Sequence, residues 1–447
     1  MRLHGVLAFI AGLAIAAAAH ATDIDAWRED LAVARTEFLE RDKSFSPEAR
    51  RRYRDEITAL EAMLGRVSEE EIVVRLARAV ALADNPHTRL YILRNRTELR
   101  RYPLRLWWFG AELRVVRVLP GLEKLLGARV TRMAGVPVEE LRRQVAPLFA
   151  GTETWREYMS TYSMTSPEIL IGLGRVGRDA RLAIDYVAMD GGVGRETVDP
   201  MPLRKVAGPT ESWWDLAPGR PRAEAGWAQV LAARGTRVPP YLQQTEQGYW
   251  SRYLEADRIY YVQYSRADNA PGREPLAQFS RAMLADMAKV PARAVVVDLR
   301  FNTGGNLYVG HPALAELAAH AKERGIALYA LVSRTTFSAG IYHAMQLRAA
   351  GARVVGEPMG DRLQFWAEGG NVVMPRSGLS LHFADRFHNY AREDRPEFDD
   401  LLFRDSRLRV ESSMPDVIVS PTWRQYLAGE DPMLDAVRNE MAAAPRR

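Results

Sequence analysis

Two stretches of the C-terminal half decide the fold: residues 294–305, AVVVDLRFNTGG, and residues 328–347, LYALVSRTTFSAGIYHAMQL. The first is a run of apolar residues that ends in two glycines, which is typical of a strand buried on both faces. The second breaks at a turn of small residues and restarts with helical spacing. A hydroxyl at a strand-to-helix turn is exposed, so Ser338 is a candidate nucleophile.

The two glycines strengthen this interpretation. Gly304 and Gly305 follow a neighbouring strand and can bring unsubstituted backbone N–H groups to the same place, as an oxyanion hole requires. The alternatives are that Ser338 only caps the following helix and that the glycines only form a tight turn.

Strand and helix patterns alternate from about residue 250 to the end of the chain. This alternation predicts an α/β fold with a mostly parallel sheet and crossover helices over residues 250–447. Catalytic groups of such sheets lie at the carboxyl ends of the strands, where Ser338 and the diglycine fall. We expect Asp298 and Arg300 to hold the diglycine loop in place.

Three further regions precede this core. Residues 22–98 show three helical patterns, and Ser46 and Ser68 are suitable N-caps for two of them. Residues 99–205 read as a β-rich domain with about one covering helix. Residues 206–249, rich in Pro, Gly and Arg over most of their length, are typical of a linker.

The first 21 residues read as a signal peptide. Arg2 precedes a short apolar run, and Ala19-His20-Ala21 fits a cleavage site, so the mature chain would begin at Thr22. We therefore expect a periplasmic or secreted protein with no stable membrane insertion after cleavage; an uncleaved anchor is the alternative. The chain has no Cys, which excludes disulfides and thiolate metal sites.

Charge and composition limit the classes of molecule that this protein is expected to bind. The net charge is +5, but 61 basic and 56 acidic residues are interspersed without a basic, aromatic-rich cluster. Nucleic-acid binding is therefore disfavoured. No metal-ligand or phosphate-binding motif is evident, so we expect no metal and no cofactor. The pairs Trp107-Trp108 and Trp213-Trp214 could line a binding surface, but packing is the favoured interpretation.

A serine nucleophile needs a base. Among eight histidines, His87 stands out because it lies in a turn, DNPHT, between a helix and a strand; on spacing alone a turn or packing role is favoured. Lysine is the other common base, and none of the five lysines follows Ser338.

Several segments together resemble the tail-specific (carboxy-terminal processing) serine protease family. AVVVDLRFNTGGN, RTTFSAG and ARVVGEPMG occur in the family's order, and DNPHT resembles the D-x-H-T segment of its tricorn-like branch. GARVTRMAGVPVEE looks like the PDZ-like module of those proteins, and VESSMPDVIVSP resembles the closing segment of that branch. The resemblance covers most of the mature chain.

The resemblance implies roles for individual residues. Ser338 matches the nucleophile, His87 the general base and Glu411 the supporting acid, while Gly304 or Gly305 and the N–H of Ala339 match the oxyanion donors. The other branch has a lysine base about 25 residues after its serine. Asp361, Arg362 and Leu363 stand there instead, and Arg cannot deprotonate, which favours the histidine branch.

The family implies an exported serine endopeptidase acting on protein or peptide substrates, with a PDZ-like domain that binds a substrate's carboxy-terminal strand. Because His87 and Ser338 lie in different regions, the site would form only when the helical subdomain docks on the core. A non-catalytic binding protein for apolar ligands and a serine esterase or amidase remain alternatives. The sequence leaves the substrate and the oligomeric state open.

Overall fold

The computed structural model describes residues 23–91, 99–202, 218, 226–244, 247–269, 274–403 and 408–443. The predicted signal peptide, Trp213-Trp214 and most of the first half of the predicted linker lie outside these ranges. Within them, no helix combines the length and the apolar character needed to cross a bilayer.

The N-terminal region is helical, as the sequence predicts. Its helices are Ile24–Val33, continued by a π-helical turn at Ala34–Phe38 and by Leu39–Arg41, then Pro47–Met63 and Glu69–Ala81. The predicted N-caps are confirmed, since the side chains of Ser46 and Ser68 accept hydrogen bonds from the N–H groups of Ala49 and Glu71.

The middle region is built on an antiparallel sheet. Its strands, in spatial order, are Leu104–Phe109, Glu112–Val118, Arg129–Met133, Leu182–Val187 and Val193–Val198, with Val136–Pro137 and Ala228–Gln229 paired at the side. The helices are Val138–Val145, Glu153–Ser163 and Pro167–Gly172, so the region holds more helix than expected. Trp107 and Trp108 are buried in this region, which confirms packing for that pair.

The C-terminal region is the predicted α/β core. Its sheet runs Val417–Ile418, Arg353–Gly356, Ala327–Val332, Ala294–Asp298, Ile259–Tyr264 and Tyr249–Leu254; all strands are parallel except the last. The helices are Leu276–Met287, Leu307–Glu323, Ala339–Ala349, Trp423–Ala428 and Pro432–Ala443. The strands that precede Ser338 and the diglycine are neighbours, so their carboxyl ends meet at one edge.

Four short strands between the core strands were not anticipated. Gln364–Ala367 pairs with Arg386–Asn389, and Gly370–Val373 pairs with Ser380–Phe383. The last of these also pairs with Arg89–Leu90, the strand that follows His87. The N-terminal region is thereby joined to the core through the strand next to the candidate base.

Candidate active site

Ser338 occupies a strained turn between a central strand and a helix. Its backbone angles are φ 56° and ψ −126°, outside the regions that residues with a side chain normally adopt. Such a conformation costs roughly 1–3 kcal/mol and persists where the surrounding structure holds it, often at functional sites. The side chain makes no capping bond to the following helix, so the alternative of a simple helix cap does not apply. Phe337 and Ala339 are buried, whereas Ser338 is partly exposed.

The glycines allow the diglycine loop to approach this turn. Gly304 has φ +107°, and a Cβ there would lie 2.8 Å from the Cβ and 3.1 Å from the Oγ of Ser338. Gly305 has φ +134°, and a Cβ there would lie 2.5 Å from the carbonyl oxygen of Ala267. Both positions therefore require glycine for space as well as for conformation.

Two amides are free to stabilise an oxyanion. The N–H of Gly304 donates to Oδ1 of Asn302 at 3.0 Å and is already engaged. The N–H groups of Gly305 and Ala339 have no hydrogen-bond partner within the described ranges. Of the two glycines, Gly305 is thus the candidate donor, and Gly304 provides the close approach.

Side-chain hydroxyls fasten the nucleophile turn to the neighbouring strand end. Ser333 Oγ and Thr335 Oγ1 each donate to the carbonyl oxygen of Arg300 at 2.5 Å, and Thr336 Oγ1 donates to that of Leu299 at 2.9 Å. The N–H of Phe337 adds a bond of 2.9 Å to the carbonyl of Asn302. The serine and the diglycine loop are therefore held in fixed relation.

A buried ion cluster supports the same strand end. Arg300, 2% exposed, bonds Asp298 and also both oxygens of Asp431, each at 2.8 Å. Burial opposes the charge of the guanidinium, but the two carboxylates hold the pKa of Arg300 well above its ordinary value. The expectation that Asp298 and Arg300 hold this loop agrees with these contacts, and Asp431, at the start of the last helix, is an added partner.

His87 lies beside the nucleophile turn within a row of stacked rings. Its imidazole stacks on Phe337, the residue before Ser338, with centroids 4.6 Å apart, and on Phe365 at 5.4 Å. The row continues from Phe337 to Trp155 at 4.2 Å. On the other side it runs from Phe365 to His388 and then to Phe403. We call these six side chains the ring stack: Trp155, Phe337, His87, Phe365, His388 and Phe403.

The imidazole of His87 is buried, and its surroundings favour the uncharged form. Burial lowers its pKa well below the usual value, and the nearby Arg89 and His388 lower it further, against the opposing effect of Glu368. A neutral imidazole is the form that can accept a proton. Among the described residues, no hydrogen bond joins His87 to Ser338; catalytic bonds of this kind often tighten only when substrate binds.

The structure places Glu411 at the surface, paired with an arginine, and brings Asp361 next to His87. The Glu411 side chain is 72% exposed and pairs with Arg392 at 2.5 Å. By contrast, Oδ2 of the buried Asp361 lies 3.4 Å from Nε2 of His87. In the sequence, Asp361 lies in the stretch where the other branch has its lysine base. No local spacing links it to His87.

The sequence analysis does not identify His388 and Glu368 as neighbours of the candidate base. Nδ1 of His388 lies 2.7 Å from the hydroxyl of Tyr390, and its Nε2 lies 3.2 Å from Oε1 of Glu368. His388 falls in a segment that reads as long and polar, where only the cross-strand pairing of residues 365 and 388 reveals its position.

An open cavity of about 1220 Å³ borders the His87 loop. Asn85, Pro86, Asp361, Phe365 and Glu411 contribute to its lining.

The fold matches solved structures over nearly the whole chain. Mature CPAF has a TM-score of 0.58 with 13% identity, over 93% of this chain and 97% of CPAF, and its lactacystin complex has a TM-score of 0.55, again at 13% identity, over 87% and 92%. A photosystem II D1 C-terminal processing protease aligns with a TM-score of 0.37 and 15% identity over 92% and 96%. No protein-family model and no curated protein matches the chain.

CPAF exceeds a TM-score of 0.5 and shares the fold of this chain, whereas the D1 processing protease falls below that value. The fold that the sequence resemblance implies is therefore confirmed by the likeness to CPAF. At these identities the likeness concerns the fold alone.

Proposed function

We propose that this chain is a serine peptidase that hydrolyses protein or peptide substrates through an acyl-enzyme. The observation that carries the proposal is the strained turn at Ser338, where a partly exposed serine adjoins a diglycine loop and the N–H groups of Gly305 and Ala339 have no partner in the described ranges. The shared fold with a serine protease supports it. In the other branch the base is a lysine that follows the serine in the sequence. No lysine follows Ser338 here, so this chain lacks that base.

In the proposed reaction, Oγ of Ser338 attacks the scissile carbonyl carbon while His87 takes the hydroxyl proton. The N–H groups of Gly305 and Ala339 bind the oxyanion of the tetrahedral intermediate, and one such donor is worth about 2.7–4 kcal/mol. The imidazolium then protonates the leaving amine as the C–N bond breaks. Water, deprotonated by the same imidazole, attacks the ester; the acyl C–O bond then breaks and the imidazolium returns the proton to Oγ of Ser338.

His87 reaches the site only through docking of the N-terminal region. Asn85 Oδ1 accepts a hydrogen bond from the N–H of Trp366, and Asp42 Oδ2 accepts one from the N–H of Ala384. Asp84 pairs with Arg362. We propose that these contacts make docking a condition for activity, so that loosening them abolishes hydrolysis without unfolding the core.

Further parts of the proposal concern location and recognition. The signal-like N-terminus supports export to the periplasm or outside the cell. The sheet of the middle region ends in Val193–Val198, an edge strand with an alternating pattern of exposure, and this edge could add a substrate's carboxy-terminal strand in the manner of a PDZ domain. Glu411, the acid implied by the resemblance, would have to leave Arg392 to support His87.

Labelling of the purified protein with a fluorophosphonate probe tests the proposal. We expect labelling of the parent, loss of it in Ser338→Ala and His87→Ala, and retention in His382→Ala, a histidine outside the ring stack that bonds Asn371. A folded parent that does not label contradicts the proposal and favours a binding protein. A preference for short acyl esters over peptides would instead identify an esterase.

A further inference from the structure

We propose that Asp361 is the positioning residue for His87: its carboxylate fixes a proton on Nε2 and leaves Nδ1 to accept the proton of Ser338. This inference rests on the proposed function and names a residue that the family resemblance does not provide.

The geometry of the pair is the first argument. Nε2 of His87 and Oδ2 of Asp361 are 3.4 Å apart, and neither atom has a hydrogen-bond partner elsewhere in the described ranges. Both side chains are buried, at 9% and 0% exposure. Buried polar atoms without a partner are costly, so two that face each other are expected to pair. The other oxygen of Asp361 accepts a bond of 2.8 Å from the N–H of Arg362, which anchors the carboxylate.

The ring stack supplies the second argument. Phe337 and Phe365 cover the two faces of the imidazole at interplanar angles of 28° and 9°. Stacking of this kind fixes the plane of the ring, but it does not fix rotation of the ring within that plane. A hydrogen bond from the ring edge does, and Asp361 is the carboxylate at that edge. The hydrogen bond made by one imidazole nitrogen also decides which nitrogen keeps the proton.

The surrounding charges are compatible with this role. Arg89, His388 and Glu368 face His87, and Arg89, His388 and Arg362 face Asp361. Burial raises the pKa of Asp361 to about 7, against the opposing bond from Arg362. The carboxylate therefore ionises near neutral pH, and only the ionised form can accept a hydrogen bond from Nε2–H.

The exposed position of Glu411 gives the third argument. A solvated carboxylate already paired with Arg392 interacts weakly with a buried imidazole, because water screens its charge. Asp361 and Glu411 are thus rival candidates for the acid that positions His87, and each can be changed from a carboxylate to the matching amide.

The test compares the pH dependence of the fluorophosphonate labelling rate in Asp361→Asn and Glu411→Gln. We expect the labelling rate of the parent to fall as pH drops through about 7, and we expect Asp361→Asn to lose this fall and to label at least about tenfold more slowly at pH 8. Glu397→Gln is the matched control, because Glu397 lines the same cavity and is half exposed beside Arg395. An unchanged rate and profile in Asp361→Asn overturns the inference, as does a loss confined to Glu411→Gln.

A second measurement separates this inference from the proposed function. Nitrogen-15 spectra of the histidine side chains report the tautomer of His87 whether or not the protein is active. We expect the Nε2–H form in the parent at pH 8 and a mixture of tautomers in Asp361→Asn. A parent that fails to label but shows this change would defeat the proposed function alone, whereas the same tautomer in both proteins would defeat the role of Asp361.

Discussion

The two sides of Ser338 are built by different means. On the oxyanion side, Arg300 is fully enclosed and bonded to two carboxylates, Asp298 and Asp431. On the base side, His87 and Asp361 face each other without a formed hydrogen bond, inside a row of apolar and aromatic rings. One side is held by directional bonds and the other mainly by stacking.

The difference corresponds to what each side must do in the proposed reaction. Oxyanion donors act best when they are fixed before charge develops, because no reorganisation is then needed. A base must exchange a proton with Ser338, with the leaving group and with water. Stacking fixes the plane of a ring but leaves it able to turn within that plane without breaking a hydrogen bond. We infer that the oxyanion side is rigid and that the base side adjusts.

The largest expected effect comes from breaking the ion cluster. Arg300→Met leaves the carboxylates of Asp298 and Asp431 buried without their counter-charge, which should cost about 3–5 kcal/mol of unfolding free energy. Thermal or urea denaturation of the variant measures this cost.

Arg353→Met is the control for this variant. Arg353 also joins the core sheet to the last helix, through Glu440, but its side chain is 52% exposed. An exposed pair contributes less than about 1 kcal/mol. Equal destabilisation by the two substitutions would show that the buried cluster at Arg300 contributes no more to the free energy of unfolding than an exposed ion pair.

The next effect concerns the base side, where a substitution is expected to raise the unfolding free energy and not to lower it. Because the pKa of Asp361 is raised from 3.8 to about 7 in the folded protein, its contribution to stability is lost as pH rises through that range, by about 4 kcal/mol over three pKa units. Asp361→Asn cannot ionise and avoids this loss. The variant should therefore unfold at a higher temperature than the parent at pH 8, with the gap closing towards pH 4.

Calorimetric scans at a series of pH values measure the gap between Asp361→Asn and the parent. Glu397→Gln, run beside them, should follow the parent curve. A gap that does not change with pH would mean that Asp361 ionises normally, and the contrast between the two sides would then be one of geometry alone.

A smaller effect is expected where a single hydroxyl joins the nucleophile turn to the strand end. Thr336 Oγ1 donates to the carbonyl of Leu299 and accepts from the N–H of Ser333, each at 2.9 Å. Thr336→Val keeps the shape and removes both bonds, at a cost of about 1–3 kcal/mol. The variant should also label more slowly, because the turn loses its registration with the diglycine loop.

Thr58→Val provides the comparison for Thr336→Val. The hydroxyl of Thr58 bonds the carbonyl four residues earlier on an exposed helix face. Its loss should change stability by no more than about 0.5 kcal/mol and leave labelling intact. A Thr336→Val variant that labels at the parental rate would show that the oxyanion side tolerates movement.

The sequence predicts most of the α/β core because its buried strands are continuous apolar runs and its helices begin at recognisable turns. Helix Glu153–Ser163 was missed because Tyr, Thr and Ser supply much of its buried face, without an apolar stripe. The four strands between residues 364 and 389 are short, and each exists through pairing with another segment. Propensity within one segment cannot reveal such pairing.

The candidate site likewise has one part that local sequence predicts and one part that depends on contacts between distant segments. Ser338 and the diglycine can be proposed from local sequence, since a strand end, a turn and small residues lie within a few positions. The contact between His87 and Asp361 depends on chain segments that meet only in the folded protein. The sequence-based choice of Glu411 as supporting acid came from resemblance and remains a prediction.

The ring stack also bears on the order in which the protein is made. Its members extend along the chain from His87 to Phe403, out of 447 residues. A nascent chain still attached to the ribosome thus displays the serine turn before the imidazole has all its packing partners. If the proposed activity is correct, the base side of the site is completed only after Asp361 and Phe365 have been synthesised, later than Ser338 itself.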